Sequence, residues 1–287
     1  MGRLTLTAAL GRYPHTAPLF SDPLLAIEPF PAISRAFKPM VREGRFDISE
    51  MAIATFLQAR AHGSDLVLLP VTMSARFQNG AMLRRTDNPF GPADLAGRRV
   101  GVRAYSQTTG LWLRGIIQEE HGIAPQSIRW LTFEDAHVAG YRDPPWAGRA
   151  PAGADMLAML RDGTLDAGVF GADMPDAPDM TTVFPDPAAA ADAFWARHRL
   201  VPVNHMVVAR ADVARRPGVV RALMDAVFAA RGGVAPEADG RDLLPFGRPA
   251  LDPAVVLAAR YAWEQGLLPR ELTIAEIWAG LPKGCEG

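Results

Sequence analysis

The chain has 287 residues, of which 49% are hydrophobic and 21% are charged. This composition can fill one large or two medium cores, and it excludes a disordered chain, a collagen-like chain and a disulfide scaffold. Basic residues number 30 and acidic residues 31, so the formal net charge of -1 provides no basic field for general nucleic-acid binding.

The two ends of the chain indicate the compartment. Cys285 is the single cysteine, so no internal disulfide can form, and no metal-ligand spacing surrounds it. No stretch approaches the roughly 18 apolar residues of a membrane-spanning helix. Residues 1–10 are interrupted by Arg3, Thr5 and Thr7, which is typical of a first strand and not of an export signal. We therefore expect a cytoplasmic protein without a membrane partner.

Strands alternate with helices along the chain. Apolar runs predict strands at 4–10, 46–48, 66–71, 98–102, 128–132, 165–170 and 200–208. Helical spacing predicts helices at 33–43, 51–61, 109–120, 155–161, 217–230, 253–265 and 274–278, with a helical turn at 92–97. Residues 134–153 and 171–187 are rich in Gly, Pro, Asp or Ala and are predicted to be long loops.

This order predicts an α/β fold with two lobes, each a mainly parallel sheet flanked by helices, and a cleft between them. We expect residues 1–80 and 205–287 to form lobe 1 and residues 81–204 to form lobe 2. The hinge crossovers would lie near 79–83 and 203–206. Ligands of open α/β sheets bind beyond the carboxyl ends of the strands. That rule selects the loops 11–15, 49–50, 72–77, 103–109 and 171–173, with residues 204–205 beneath them.

The loop from Arg103 to Thr109 follows a predicted strand and opens a predicted helix. Free backbone N–H groups and the helix dipole favour an anion there. Hydroxyls at Ser106, Thr108 and Thr109 and the guanidinium of Arg103 would add donors. The alternative interpretation is an ordinary Ser/Thr helix cap beside a surface arginine.

Three further side chains have a functional and a structural interpretation. Glu50 is either an acid or base at the cleft or a first-turn acid that complements a helix dipole. His205 is either a proton donor facing the cleft or a core histidine, with His15 as a weaker choice of donor. Arg76 either clamps a carboxylate or lies on the surface. No histidine spacing indicates a metal site, and no nucleotide-binding motif is present.

Four segments of the chain resemble the 4,5-dihydroxyphthalate decarboxylase family, in the same order. They are FDISEMAIATFLQARAHG (46–63), DLAGRRVGVRAYSQTTGLWLRGIIQEEHGIAPQSIRW (94–130), LRDGTLDAG (160–168) and ARYAWEQGLLPRELTIAEI (259–277). The resemblance implies a type II periplasmic-binding-protein-like fold used as a cytoplasmic enzyme. It also implies removal of a carboxyl group from an aromatic diacid, without a required organic cofactor.

The resemblance also bears on the site residues. Ser49, Glu50, Tyr105, Arg114 and His205 stand where the family pattern has the same residues, and we expect Ser49, Tyr105 and Arg114, with Tyr13, to bind the substrate. The family's S-R-x-F-R-H segment corresponds to Ser74-Ala75-Arg76-Phe77-Gln78-Asn79, so an Arg-His pair is replaced by Gln78-Asn79. Its G-D-Y-D-R-T segment corresponds to residues 11–16, which keep Tyr13, and its V-P-E-Y segment to residues 102–105, which introduce Arg103.

Together these observations predict a cofactor-independent decarboxylase of a hydroxylated, phthalate-like aromatic acid. Arg103, Ser106, Thr108 and Thr109 would anchor one carboxylate, and Arg76 would hold a second anion or a phenolate. His205 or Glu50 would deliver the proton, with the other as its orienting partner. Two alternatives stay open: a non-catalytic solute-binding protein for a small carboxylate, and another enzyme on the same scaffold. The sequence also leaves open whether the protein forms a homo-oligomer.

Overall fold

The computed structural model describes residues 5–171 and 174–287. The start of the first predicted strand and most of the predicted site loop 171–173 lie outside these residues. In chain order the strands are β1 (Leu6–Ala9), β2 (Leu25–Ile27), β3 (Ile48–Ala52), β4 (Val67–Ala75), β5 (Met82–Arg85), β6 (Arg99–Val102), β7 (Arg129–Thr132), β8 (Ala147–Arg149), β9 (Ala167–Val169), β10 (Met180–Thr182) and β11 (Val203–Ala209).

The α-helices lie between and after these strands. They are α1 (Phe37–Glu43), α2 (Ile53–Ala61), α3 (Thr108–His121), α4 (Met156–Arg161), α5 (Pro187–His198), α6 (Ala211–Ala214), α7 (Pro217–Ala230), α8 (Arg248–Glu264) and α9 (Ile274–Ile277). Short 3₁₀ turns occur at Ala17–Ser21, Ile33–Ala36, Asn79–Ala81, Pro92–Asp94 and Pro125–Ser127.

The strands form two sheets. The first has the order β2-β1-β3-β11-β4 and the second the order β10-β5-β9-β6-β7-β8. Each sheet is mixed, because β11 runs antiparallel to β3 and β4, and β5 runs antiparallel to β9 and β10. The first sheet thus contains only strands from residues 6–75 and 203–209, and the second only strands from residues 82–182. The α/β architecture is as predicted, whereas the lobe boundaries stay a prediction.

Two local predictions were wrong for identifiable reasons. Glu50 is not a first-turn helix acid: with Ser49 it lies within β3, between β1 and β11, where the sheet satisfies their backbone groups. The helix predicted over 51–61 begins only at Ile53. The predicted loop 171–187 contains β10, and α5 follows it. The Asp186 side chain accepts a hydrogen bond from the Ala189 N–H (2.9 Å) and Pro187 opens the helix, a start signal that the alanine-rich composition obscured.

Helix α8 connects helices from two separate parts of the chain. It packs against both α2 and α3. At Gly115 of α3 the contact is so close that an added Cβ would lie 2.1 Å from the Tyr261 ring, so only glycine fits. Trp112, also on α3, is fully buried and donates a hydrogen bond to the Val203 carbonyl (2.9 Å) at the start of β11. The N-terminal end of α3 is therefore fixed relative to the strand that carries His205.

Candidate functional site

A cavity of about 320 Å³ is lined by residues from both regions of the chain that contribute a sheet. From the first-sheet region, residues 6–76 and 203–209, the lining includes Tyr13, Phe37, Thr55, Ser74, Arg76, Asn204 and His205. From the second-sheet region, residues 82–182, it includes Arg103, Ser106, Gln107, Thr108, Thr109, Glu134, His137 and Phe170. The cavity is large enough for a single-ring aromatic acid.

Glu50 is fully buried, does not line the cavity, and its carboxylate contacts three hydrogen-bond donors. Its Oε1 accepts from the Tyr13 hydroxyl (2.7 Å) and lies 2.6 Å from His205 Nδ1, and its Oε2 accepts from the Gly11 N–H (2.8 Å). Tyr13 folds back over Gly11 so closely that a Cβ there would lie 2.5 Å from its ring. Glycine at position 11 thus lets Tyr13 reach the carboxylate.

The sheet register explains why Glu50 and His205 meet. Glu50 pairs with Val207 across β3 and β11, while His205 pairs with Ala52, so the two side chains are diagonal neighbours on one face. A carboxylate can only accept, so it fixes the His205 proton on Nδ1 and leaves Nε2 for the cavity. His205 lines the cavity, whereas Glu50 does not. Of the two predicted proton donors, His205 has access to a ligand and Glu50 has the geometry of its orienting partner.

The amino end of α3 forms another part of the cavity wall. Ser106, Gln107, Thr108 and Thr109 all line the cavity, and the first turn of the helix leaves its N–H groups without intrahelical acceptors. Arg76 reaches this turn from the end of β4, with its Nη2 donating to Thr109 Oγ1 (3.3 Å) and its Nε to Gln78 Oε1 (3.3 Å). The predicted anchoring residues Ser106, Thr108 and Thr109 therefore lie together on one wall.

Arg103 is at the rim rather than the floor of the cavity. Its side chain is 38% exposed, and its Nε lies 3.6 Å from Glu134 Oε2, which is itself largely exposed. Such a solvated ion pair contributes little to stability and leaves the guanidinium able to turn towards an anion. Arg103 thus adds positive charge at the entrance.

Gln78 and Asn79 do not reach the cavity lining. Gln78 is fully buried, and its Nε2 donates to Asn204 Oδ1 (2.6 Å) and to the Arg76 carbonyl (2.8 Å). Asn204 does line the cavity, so Gln78 supports the wall from behind. The Arg-His to Gln-Asn replacement therefore changes the support of Arg76 and Asn204 and not a surface that a ligand touches.

Three predicted binding residues are not part of the cavity lining, which corrects the sequence-based assignment. Tyr105 is fully buried and its hydroxyl donates to the Gln265 carbonyl (3.2 Å). Arg114 is also fully buried; it stacks on the Tyr105 ring at 3.9 Å and donates to Gln265 Oε1 (2.8 Å). Ser49 is buried and donates to the Glu50 carbonyl (2.7 Å). These side chains join α3 to the end of α8 or stiffen β3.

Sequence reasoning missed His137, Phe37 and Thr55, which all line the cavity. His137 lies in the predicted loop 134–153, and its Nδ1 is 2.9 Å from Thr55 Oγ1. The Phe37 ring is edge-on to both His137 (5.7 Å) and His205 (5.2 Å). The Gly/Pro-rich composition predicted a long loop here, but nothing local selected His137 within it.

Burial and neighbouring charges set the protonation of the surrounding groups. Burial, followed by the negative charge of Glu50 and the hydrogen bond to it, raises the pKa of Tyr13, so its hydroxyl stays a donor. Burial lowers the pKa of His15, whose Nε2 lies 3.1 Å from the Met73 carbonyl. Burial, followed by the nearby charges of Arg103, Lys38 and Arg42, lowers the pKa of His137 to about 4.

Within the described ranges 5–171 and 174–287, no group of three His, Cys, Asp or Glu side chains could hold a metal ion. None of the helices in these ranges is both long and apolar enough to cross a membrane.

Comparisons with known proteins add independent information. No protein-family model matches the chain. The chain is 28% identical to a 4,5-dihydroxyphthalate decarboxylase of Comamonas testosteroni, over 93% of this chain and 88% of that protein. It is also 28% identical to a 4,5-dihydroxyphthalate decarboxylase of Pseudomonas putida, over 68% of this chain and 83% of that protein.

Solved structures show the fold. The alkanesulfonate-binding protein SsuA of Xanthomonas axonopodis pv. citri, bound to MOPS, matches with a TM-score of 0.57 at 16% identity, over 96% of this chain and 98% of that one. A mutant of DSZB in complex with biphenyl-2-sulfinic acid matches with a TM-score of 0.56 at 16% identity, over 97% of each chain. The predicted resemblance is therefore confirmed: the chain has a periplasmic-binding-protein-like fold and is similar over most of its length to 4,5-dihydroxyphthalate decarboxylases.

Proposed function

We propose that this protein is a carboxy-lyase that removes one carboxylate from a hydroxylated, phthalate-like aromatic acid. One observation carries the proposal: His205, held by buried Glu50, lines the same cavity as the amino end of α3. A proton donor and an anion-binding wall are what the reaction needs on the two sides of a ring. The two decarboxylase relatives support the same reaction class.

The binding step follows from the charges at the cavity. Helix N–H groups and Arg76 would hold one carboxylate, and Arg103 at the rim would attract the diacid. Anchoring the carboxylate that is retained orients the ring, so the carboxylate that leaves is presented to His205. Orientation of this kind can supply about 7–11 kcal/mol of the barrier when the reacting atoms are well aligned.

The chemical step is a proton transfer followed by loss of CO2. The proton on His205 Nε2 moves to the ring carbon that bears the leaving carboxylate, and a ring hydroxyl supplies electron density to that carbon. The bond from the ring carbon to the carboxylate then breaks, its electron pair returns to the ring, and neutral CO2 departs. His205 is left neutral, with its Nδ1 proton directed at Glu50, and it regains a proton from water.

The test is CO2 release by the purified protein with a panel of hydroxylated phthalates and hydroxybenzoates. We expect turnover with at least one hydroxylated diacid, and we expect His205→Asn to lower kcat by about 10²–10⁴-fold while product binding changes little. His198→Asn is the matched control, because His198 also pairs with a glutamate (Glu119, 2.8 Å) but does not line the cavity. Equal kcat values for wild type and His205→Asn would contradict the proposed role of His205.

The second candidate function is solute binding without catalysis, because the chain shares its fold with the alkanesulfonate-binding protein SsuA. The same panel separates the two: binding of an aromatic acid by calorimetry with no CO2 released would favour this alternative.

A further inference from the structure

A second imidazole faces the same cavity as His205. His137 lies in the segment between β7 and β8, and its ring is edge-on to Phe37, as is that of His205. The two histidines therefore flank one aromatic ring, and both line the cavity. The reaction described above uses only His205.

His137 is held in place from two directions. Its Nδ1 lies 2.9 Å from the Thr55 hydroxyl on α2. Its backbone carbonyl accepts from Arg42 Nε (2.8 Å), and the carbonyl of Ala136 accepts from Arg42 Nη2 (3.2 Å). Arg42 is on α1, so the segment that carries His137 is fastened to the first-sheet region. The ring is thus fixed by protein contacts alone.

The partners of the two histidines differ in charge. His205 contacts the carboxylate of Glu50, whereas His137 contacts a neutral hydroxyl and is surrounded by Arg103, Lys38 and Arg42. Burial and these cations disfavour its imidazolium form, consistent with its lowered pKa. A neutral imidazole with Nδ1 occupied offers a single donor or acceptor, Nε2. That is suited to an uncharged hydroxyl and poorly suited to carrying a proton to carbon.

We propose that His137 binds a ring hydroxyl of the substrate and makes the site select hydroxylated over unsubstituted aromatic acids. This inference rests on the proposed function for the class of ligand, but it concerns binding and not CO2 release. A site that pairs a buried polar group with a substrate hydroxyl discriminates against ligands that lack it, because the protein group is then left unpaired. For one neutral hydrogen bond we expect a contribution of about tenfold in affinity.

The test measures the affinity of 3,4-dihydroxybenzoate and of benzoate by calorimetry at pH 7.5. Neither ligand carries a second carboxylate, so the measurement does not depend on turnover of a diacid. The wild type should prefer the dihydroxy ligand by at least about tenfold, and His137→Leu should reduce that preference to within about twofold. His137→Gln, which places an amide near the position of Nε2, should restore part of it. Thr55→Val should weaken the preference without removing the ring, and it provides the test if His137→Leu does not fold.

His121→Leu is the matched control. His121 is also a partly buried histidine edge-on to a phenylalanine (Phe184, 6.1 Å), but it does not line the cavity. This variant should keep the full preference.

The outcomes separate the inference from the proposed function. An unchanged preference in His137→Leu, or an equal loss of affinity for both ligands, overturns the inference even if the protein releases CO2. A preference that depends on His137 in a protein that releases no CO2 supports the inference and refutes the decarboxylase. A wild type that binds neither ligand contradicts the inference, while CO2 release from a diacid still decides the proposed function.

Discussion

Replacing Glu50 with glutamine tests the central geometry of the site. The buried carboxylate receives hydrogen bonds from Gly11, Tyr13 and His205. Glutamine has nearly the same shape but only one acceptor oxygen, and its NH₂ group would face at least one of the three donors. The substitution therefore removes the negative charge beside His205 while filling the same space.

The expected magnitudes follow from these contacts. A hydrogen bond to a buried charged group contributes about 1.5–3 kcal/mol, so losing one of the three should lower the free energy of unfolding by about that amount. The effect on catalysis should be larger, because a neutral amide no longer stabilises the His205 imidazolium that delivers its Nε2 proton. General-acid catalysis contributes about 10²–10⁴-fold, and we expect kcat to fall within that range. The KM should change by less than about threefold, since Glu50 does not line the cavity.

The assay is steady-state CO2 release together with urea denaturation of Glu50→Gln. Glu119→Gln is the matched control. The Glu119 carboxylate also forms hydrogen bonds with a histidine (His198, 2.8 Å), a tyrosine (Tyr261, 2.6 Å) and a third donor, Arg260, but it does not line the cavity. This control should lower stability and leave kcat unchanged. A Glu50→Gln variant with at least a third of the wild-type kcat would refute the reasoning.

Two further predictions concern stability. The pKa of His137 is about 4 in the folded protein, against 6.5 for an ordinary histidine. Between these pH values the unfolded chain therefore binds more protons than the folded protein. The free energy of unfolding should fall as the pH drops from 6.5 towards 4, by up to about 3 kcal/mol from this residue. Urea denaturation of His137→Gln should show no such contribution to the pH dependence. Identical pH profiles for the wild type and the variant would contradict the burial of His137. Gly115→Ala should destabilise by about 1–3 kcal/mol, because its Cβ would overlap the Tyr261 ring. Gly218→Ala, with open space around the added Cβ on α7, should be neutral or stabilising by up to about 1 kcal/mol, and equal effects of both substitutions would refute the packing argument.

Local pattern was enough to predict most of the elements and one wall of the site. The loop 103–109 between β6 and α3 was identified from its hydroxyl residues and its place before a helix, and its polar residues do line the cavity. Strands such as β2, β5 and β8 were not predicted. They have three or four residues, which is too few to show a hydrophobic period. The cytoplasmic location stays a prediction.

The sequence by itself determined the α/β order, the chemistry available in the loops and the likeness to decarboxylases. Only the tertiary structure decided which side chains share a cavity. Glu50 and His205 are 155 residues apart and meet through the antiparallel register of β3 and β11, while His137 is brought to Phe37 by contacts of its loop with α1 and α2. Tyr105 and Arg114 follow the family pattern yet are used for packing. Residue type and spacing encode local propensity, whereas burial and contact between distant residues depend on how the sheets pair and pack.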